Sequence, residues 1–555
     1  MKRLCMLVGG LLLVLVVNAD VIIIEEPFKL ESFRHQATAS IEDDLDNGID
    51  GTDIFKVEGA RIYTNLSNLV SGTETQFDNS NSENAVVIGA ISPIYKGWKA
   101  AIFYGNANYI GSIDNSSTFV DLLNTDTDEP FDVKRTTETI TTSNESEDRN
   151  CILLNIGKVL GEGSNLALTY KRIGVKTGED SDETTEYIEN DIDNSRITAY
   201  QKENENEKME NSIPVNLLAL SYTRPYKGLE LRGDLYLIMG AMNDEESGFS
   251  RFFQDFSPSD AQIDELLDSN LYNSKDNVKE NLIGVSLRLG DVNEFGLWEL
   301  GCNLGMIFGS GDYEYSEYLH EIYRDQIATG IILIDEVENG GTIGSISPSG
   351  WNMGLFGKAE WQISPNVRWG VGLIYNNLSG TLKYDLDYSL DNRYTFNNGN
   401  GVNDWADSTR TEEGGISLVR TQKLSINNIA IPTGIEISFG KHKDWALRFG
   451  ALGITSKSSV TSSQEYDENS IQRNTVTTVR GDGSRTETID DEVVYTDGEA
   501  TEGSTSRSVY YTYGLGWKPS RDLSLDLIGM FDGEGELLST DWFKSLKISA
   551  TIVIR

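Results

Sequence analysis

Five aspartates crowd one stretch near the N-terminus: Asp43, Asp44, Asp46, Asp50 and Asp53, interleaved with Asn47-Gly48 and Gly51. Carboxylates with glycine between them are what a calcium loop needs, because the ion is held by several oxygens on a tightly turning backbone. Asp44, Asp46, Asp50 and Asp53 are the candidate ligands. Their spacing misses both an EF-hand and an Asp-x-Asp-x-Asp-Gly repeat by at least one residue, so an acidic surface turn is the favoured reading. The three histidines are scattered at His35, His320 and His442. Only His320, next to Glu321 and near Asp325, has the neighbours that histidine-based hydrolysis requires. No catalytic residue is assigned, the chain is not expected to be an enzyme, and no cofactor is called for.

A third group of charged residues is set apart by its spacing. Glu230, Arg232, Asp234, Arg288, Glu299, Lys358, Glu360, Arg368, Glu436, Arg448 and Lys547 all fall at alternate positions of segments whose other face is apolar. In 229–239, Leu229, Leu231, Leu235, Leu237 and Met239 oppose Glu230, Arg232 and Asp234. In 298–308, Trp298, Leu300, Cys302, Leu304, Met306 and Phe308 oppose Glu299, Asn303 and two glycines. The final segment sets Leu546, Ile548, Ala550, Ile552 and Ile554 against Lys547, Ser549 and Thr551. Period two over such lengths is a β-strand with one apolar face.

Composition narrows the alternatives. The 555 residues include 87 acidic and 46 basic ones, for a net charge of −41, and mean hydropathy is −0.34. That balance excludes nucleic acid as a partner, which needs a basic footprint. After the N-terminus no apolar run approaches the roughly 20 residues of a membrane helix. Three cysteines rule out a disulfide scaffold.

Residues 1–19, MKRLCMLVGGLLLVLVVNA, have a charged start, an apolar run and a small-residue end, which is the pattern of a secretory signal peptide. Residues 20–53 are read as a periplasmic N-terminal segment or plug, and 54–555 as one domain. From Ile54 on, alternating segments are joined by short turns and long acidic stretches in strict alternation. The short turns are Pro93–Gly97, Lys158–Gly163, Arg224–Gly228, Gly290–Glu294, Ser364–Asn366, Gly440–Lys443 and Lys518–Arg521. The long connections include 115–150, 244–279 and 456–506. Within the last, Thr475–Ile489 reads as a polar hairpin around Gly481-Asp482-Gly483. Seven hairpins with a first and a last strand make about 16 strands, or 14 at the low end. Cys151 and Cys302 then fall on strands 4 and 9, which are not neighbours, so no disulfide is expected.

Short–long asymmetry of connections is foreign to a soluble sandwich and is the habit of an outer-membrane barrel, with short periplasmic turns and long external loops. Trp98, Trp298, Trp361, Trp369, Trp445 and Trp517 all lie within a few residues of a short turn, as a lipid-interface belt would place them. Trp351 and Trp542 open strands at the opposite end. The charges on the polar face could not be buried in a sandwich core but could face water in a lumen. The expected fold is an all-β, up-and-down, antiparallel transmembrane β-barrel in a bacterial outer membrane.

On this pattern of turns, belts and faces the chain resembles a bacterial outer-membrane β-barrel of the porin class over residues 54–555. Such barrels usually end in an aromatic residue, whereas this chain ends Ile552-Val553-Ile554-Arg555. A weaker resemblance is to the long-chain fatty acid transporter family, whose barrels carry an N-terminal plug; Ala37–Asp53 could fold into the lumen, although the Asn-Pro-Ala element of that plug is missing. The porin resemblance implies outer-membrane lipid, small solutes or ions and the barrel-assembly machinery as partners, and a homotrimer as the common assembly. The expected function is passive, weakly cation-preferring diffusion of small hydrophilic solutes through a water-filled lumen. The charged wall lines it and a folded-in long loop narrows it. The alternatives are a plugged transporter of hydrophobic substrates, for which inward apolar residues such as Phe356, Ile374 and Ile528 look too few, and a surface adhesin with a blocked lumen.

Overall fold

The computed structural model describes residues 33–42, 44–67, 84–123, 133–161, 163–191, 196–255, 264–293, 296–327, 330–398, 407–466, 472–492, 498–532 and 547–554. The expected signal peptide (1–19), residues 20–32, Asp43 and Trp542 lie outside them. The first strands are β1 (Ala60–Ser67), β2 (Asn84–Tyr95), β3 (Trp98–Leu123), β4 (Val133–Gly161), β5 (Ser164–Asp191) and β6 (Arg196–Tyr226). Then come β7 (Leu229–Asp255), β8 (Asp264–Asn293), β9 (Gly296–Ile327), β10 (Gly330–Ser364), β11 (Val367–Asn397) and β12 (Ser408–Phe439). The last are β13 (Trp445–Tyr466), β14 (Gln472–Arg480), β15 (Arg485–Glu492), β16 (Gly498–Ser520), β17 (Leu523–Asp532) and β18 (Lys547–Ile554).

Every strand pairs antiparallel with its sequence neighbour, except that β13 pairs with β16 and the intervening β14–β15 hairpin pairs on β12 instead. Ala60 to Ser67 of β1 pair with Ile554 to Lys547 of β18, which closes the sheet. The result is a ring of 16 strands, all-β and up-and-down, with one accessory hairpin. Closure removes the edges that lipid could not satisfy. All seven expected short turns join consecutive strands of the ring, and the β14–β15 hairpin pairs Thr475 with Ile489, as its sequence suggests. The first strand starts at Ala60 rather than near Ile54, because 51–56 form a 3-10 turn that buries Ile54 completely.

The long connections are not loops over most of their length. Strands β3 to β12 run for 26 to 35 residues, whereas a membrane crossing uses about ten. The excess continues the barrel wall well beyond the bilayer. It carries the same inward and outward alternation as the lower wall, but with polar residues on both faces, and this hides it in the sequence.

The outer face divides accordingly. Leu235 and Met239 of β7, Ile283 and Leu287 of β8, and Leu304 and Met306 of β9 are all well exposed, as lipid-facing residues should be. Above Met239 and Ile283 the outward positions turn polar, with Asn243, Lys279 and Asn281. At the turn end the tryptophans form a belt: Trp361 stacks on Trp369 with centroids 4.9 Å apart, and Trp445 stacks on Trp517 at 5.3 Å. Lys158 lies 5.1 Å over the Trp98 ring. Trp351 is exposed at the other end of the apolar band, opposite Met306. Cys151 is buried on an inward face and Cys302 is exposed on an outward one, so they do not pair.

Candidate functional site

Residues 33–58 lie inside the ring at its turn end. They comprise the helix Phe33–Thr38, the helix Asp44–Ile49 and the 3-10 turn Gly51–Lys56. The first helix packs on β12, β13, β16 and β17, and the 3-10 turn packs on β3 to β6. Those groups of strands face each other across the barrel, so the segment bridges the lumen.

Its apolar side chains are buried: Ala37, Ile41 and Ile54 are completely covered, and Val57 nearly so. Backbone meets backbone where the wall has glycine. Gly434 and Gly450 face each other on β12 and β13, and a Cβ on Gly434 would stand 1.7 Å from the Thr38 carbonyl oxygen. No other residue leaves that space.

Polar contacts fasten both ends and the middle. At one end Arg232, only 5% exposed, donates from Nη2 to Asp50 (2.7 Å), from Nη1 to Asp53 (3.2 Å) and from Nε to Asp234 (2.8 Å). Arg288 donates to the other Asp50 oxygen at 2.6 Å and stacks over Phe356 at 5.3 Å. Asn155 of β4 donates to the Gly48 and Gly51 carbonyls at 3.2 and 2.8 Å. Lys99 donates to the Val57 carbonyl, and Thr52 meets Thr223. In the middle Lys358 holds Glu42 at 2.5 Å and Glu299 at 3.3 Å. At the other end Arg34 grips Glu436 with two hydrogen bonds of 2.8 and 2.5 Å. Glu436 also accepts from Arg448, which reaches Asp526. Thr512 donates to the Ala37 carbonyl at 3.0 Å.

Burial on its own would raise the carboxyl of Asp50, but Arg232 and Arg288 hold it far below the usual carboxylate range. Glu42 is likewise held down, by Lys358 against the cost of burial. Asp53 and Glu230 raise Lys56 despite its burial. Opposite charges at contact distance in a low-dielectric interior stabilise one another strongly, and each would be costly if left alone.

Most of the residues expected to line a pore are brought together around residues 33–58. Arg232, Asp234, Arg288, Glu299, Lys358, Glu436 and Arg448 all point inward and take part in the network that grips the segment. Glu230 lies 3.5 Å from Lys56 at its margin. Glu360 and Arg368 face each other at 3.8 Å. Lys547 is placed on β18, and its side chain is outside the described residues.

The calcium candidates are consumed by cations. Asp44 pairs with Arg61 at 3.0 Å, Asp50 and Asp53 with Arg232, and Asp46 approaches His35 at 4.0 Å. Among the described residues no group of acidic, histidine or cysteine side chains is arranged to hold a metal. His320 bonds Asp335 at 2.8 Å on the neighbouring strand rather than Asp325. Phe356 lies under Arg288, and Ile374 and Ile528 pack in the clusters of Ala39 and Ala37. Inward apolar residues are far from few: Phe103, Leu153, Val215, Ile238, Leu282, Ile307, Ile346 and Leu378 are all buried inside the ring. No long loop narrows the lumen among the described residues; the N-terminal segment does.

Sequence reasoning missed Arg34, Arg61, Lys99, Asn155, Thr223 and Thr512. Each lies on the inward parity of its strand or on the segment itself. Parity could have found the strand residues, but the sequence does not show which of them meet the segment.

No protein-family model and no curated protein sequence matches this chain. Solved structures do. The FrpB iron transporter from Neisseria meningitidis (F5-1 variant) matches over 91% of this chain and 84% of its own, at 8% identity and a TM-score of 0.27. The siderophore receptor PiuA from Acinetobacter baumannii matches over 89% and 81%, at 7% identity and a TM-score of 0.21. The ferripyoverdine receptor of the outer membrane of Pseudomonas aeruginosa matches over 89% and 71%, at 9% identity and a TM-score of 0.21. The likeness is one of barrel architecture. The expectation of an open, passively conducting porin is corrected: residues 33–58 bridge the lumen and are pinned at both ends. A closed ring with an apolar outer band and an aromatic belt is the form that spans a bacterial outer membrane, and that is where this barrel resides.

Proposed function

We propose that the chain is a plugged outer-membrane transporter, in which residues 33–58 close the lumen on the periplasmic side and passage of a solute requires their displacement. One observation carries this reading. Arg232 and Arg288 on one side of the ring, and Arg448 with Glu436 on the other, fasten opposite ends of one segment across the lumen. A pore built for free diffusion has no use for a crossbar held by buried ion pairs. A barrel that admits solute only on demand does, because the charged contacts hold the segment until something competes for them. The solute would enter through the extended wall, meet the buried inward residues above the segment, and leave once the segment moves.

Planar-bilayer conductance tests this. The full chain should insert and stay closed. A version lacking residues 20–58 should show steady, resolvable openings. Large steady conductance by the full chain would overturn the reading.

A further inference from the structure

The lumen above the segment holds a second polar cluster, unlike the first. Asp244 of β7 and Asp276 of β8 are cross-strand partners, and Glu280 lies four residues lower on the same inward face, with Val278 between. They are 9%, 5% and 2% exposed. In each, one carboxylate oxygen is buried without a hydrogen-bond partner: Oδ1 of Asp244, Oδ1 of Asp276 and Oε2 of Glu280. None of the three forms an ion pair among the described residues. All three lie beyond the apolar outer band. Burial pushes Glu280 up to about 7, and burial with the neighbouring Asp244 charge pushes Asp276 up to about 7 as well.

Two cavities open beside them on the inner wall of β8 to β13. A small one, enclosed by Glu280, Gln422, Ile307, Pro348 and Leu424, has a volume near 10 Å³. That is room for a single water-sized group. The larger, of 270 Å³, is walled by Tyr313, Tyr384, Tyr388, Ile416, Leu418 and Arg420. Tyr313 is the cross-strand partner of Asp276, and the charges of Asp276, Glu280 and Arg420 all bear on Tyr384. Glu280 thus lines the small cavity, and Asp276 adjoins the larger, aromatic and apolar one through its cross-strand partner Tyr313.

We infer that this chamber binds a small organic ammonium cation, its charged end at Asp276 and Glu280 and its hydrocarbon body against Tyr313, Tyr384 and Leu418. Carboxylates supply the charge that an ammonium lacks, and the tyrosine faces add cation–π attraction. A bare metal ion is the poorer fit, since the carboxylates do not converge on one point. Arg420, whose Nε is also buried without a partner, offers an anchor for an oxygen on the same ligand. Charge on the extended wall agrees: Glu183, Glu186, Glu203 and Glu205 lie on β5 and β6 above the membrane, where they raise the local concentration of cations.

The inference rests on the plugged-transporter reading for its biological meaning, but its test does not. Titration calorimetry of the purified, refolded full chain in detergent, at moderate salt, would use cadaverine, L-lysine and glutarate as probes. Cadaverine and L-lysine should bind and glutarate should not. In Asp276→Asn/Glu280→Gln the affinity for the two amines should fall by about a hundredfold, the loss of two charge-assisted contacts. A Glu487→Gln variant, on the exposed accessory hairpin, should bind as the parent does. Because neutral amides relieve buried charge, Asp276→Asn/Glu280→Gln should also melt at or above the parent temperature, which shows that lost binding is not lost folding. Absence of amine binding, equal binding by both variants, or preference for glutarate would each overturn the inference. Binding by a chain that conducts openly would leave this site standing and remove the plug; a closed barrel that binds no amine would do the reverse.

Discussion

The lower and upper lumen use the same residue types under opposite rules. Around residues 33–58 the carboxylates meet cations: the half-buried Asp50 and the buried Asp53 and Asp234 have Arg232, Glu299 has Lys358, and Glu436 and Asp526 have Arg448. About eight to twelve residues above that layer along β7 and β8, Glu280, Asp276 and Asp244 are as deeply buried and have none. A protein interior tolerates a charge when it is paired and resists it when it is not. The lower layer is thus a finished structure whose charges satisfy one another. The upper layer is unfinished without a proton or a ligand on each carboxylate. The first is a joint and the second a receptacle.

The comparison is broken most severely by removing a cation from the lower layer. Arg232→Ala takes the shared guanidinium from the buried Asp53 and Asp234 and leaves the half-buried Asp50 only Arg288, at a cost of ~3–5 kcal/mol. That loss should fall on the segment rather than on the ring, whose strands hold by their own ladders. The variant should therefore still migrate as a folded barrel on a heat-modifiability gel while showing frequent openings in a bilayer. A closed variant would mean that the network is not what holds the segment.

Acid is the next largest lever. Glu42 and Asp50 are held below the ordinary carboxylate range while the segment is seated and return to it on release. The seated state therefore binds fewer protons than the released one. Its advantage is complete above about pH 5 and declines as pH falls below about 4, by at most ~1.4 kcal/mol per carboxylate for each further unit. Openings should become more frequent on acidification from the periplasmic side and reverse on neutralisation. Openings that increase with rising pH instead would contradict this assignment of charges.

How far this was legible depends on the range of each signal. The ring of 16 strands, the seven turns and the hairpin at Gly481-Asp482-Gly483 were readable because period two and turn chemistry are local. The extensions of β3 to β12 were not, since strands polar on both faces, such as 179–189, show no alternation of hydropathy to read. The charged parity was readable, but which of its residues meet residues 33–58 was not. Arg232 at an inward position has the same sequence signature whether it faces water or Asp50, and the difference lies in a contact across some 180 residues of chain. The upper carboxylates were invisible for a related reason: 244–279 reads as an acidic loop until parity is carried through it, which puts Asp244 and Asp276 on the inside.

The smallest effects sharpen the comparison best, because they test its sign. Ser286 donates to Asp234 at 2.7 Å in the lower layer. Ser286→Ala removes one hydrogen bond from a carboxylate that keeps Arg232, so it should destabilise by ~1 kcal/mol. Asp244→Asn in the upper layer removes a charge that nothing offsets. Burial, with Glu246 nearby, already pushes that carboxyl up to about 6, above the apolar band, so much of its charge is held at a cost at neutral pH. Its loss should be neutral or stabilising by a similar ~1 kcal/mol. Thermal melts of the two variants at pH 7.0 should thus move in opposite directions from the parent, although each alters one polar group on one carboxylate. Should both fall together, the upper layer is a paired structure like the lower, and the difference on which the ligand chamber rests disappears. Repeating the Asp244→Asn melt at about pH 5, where the parent carboxyl is largely protonated, should shrink its advantage, because the parent then no longer holds the charge that the amide removes.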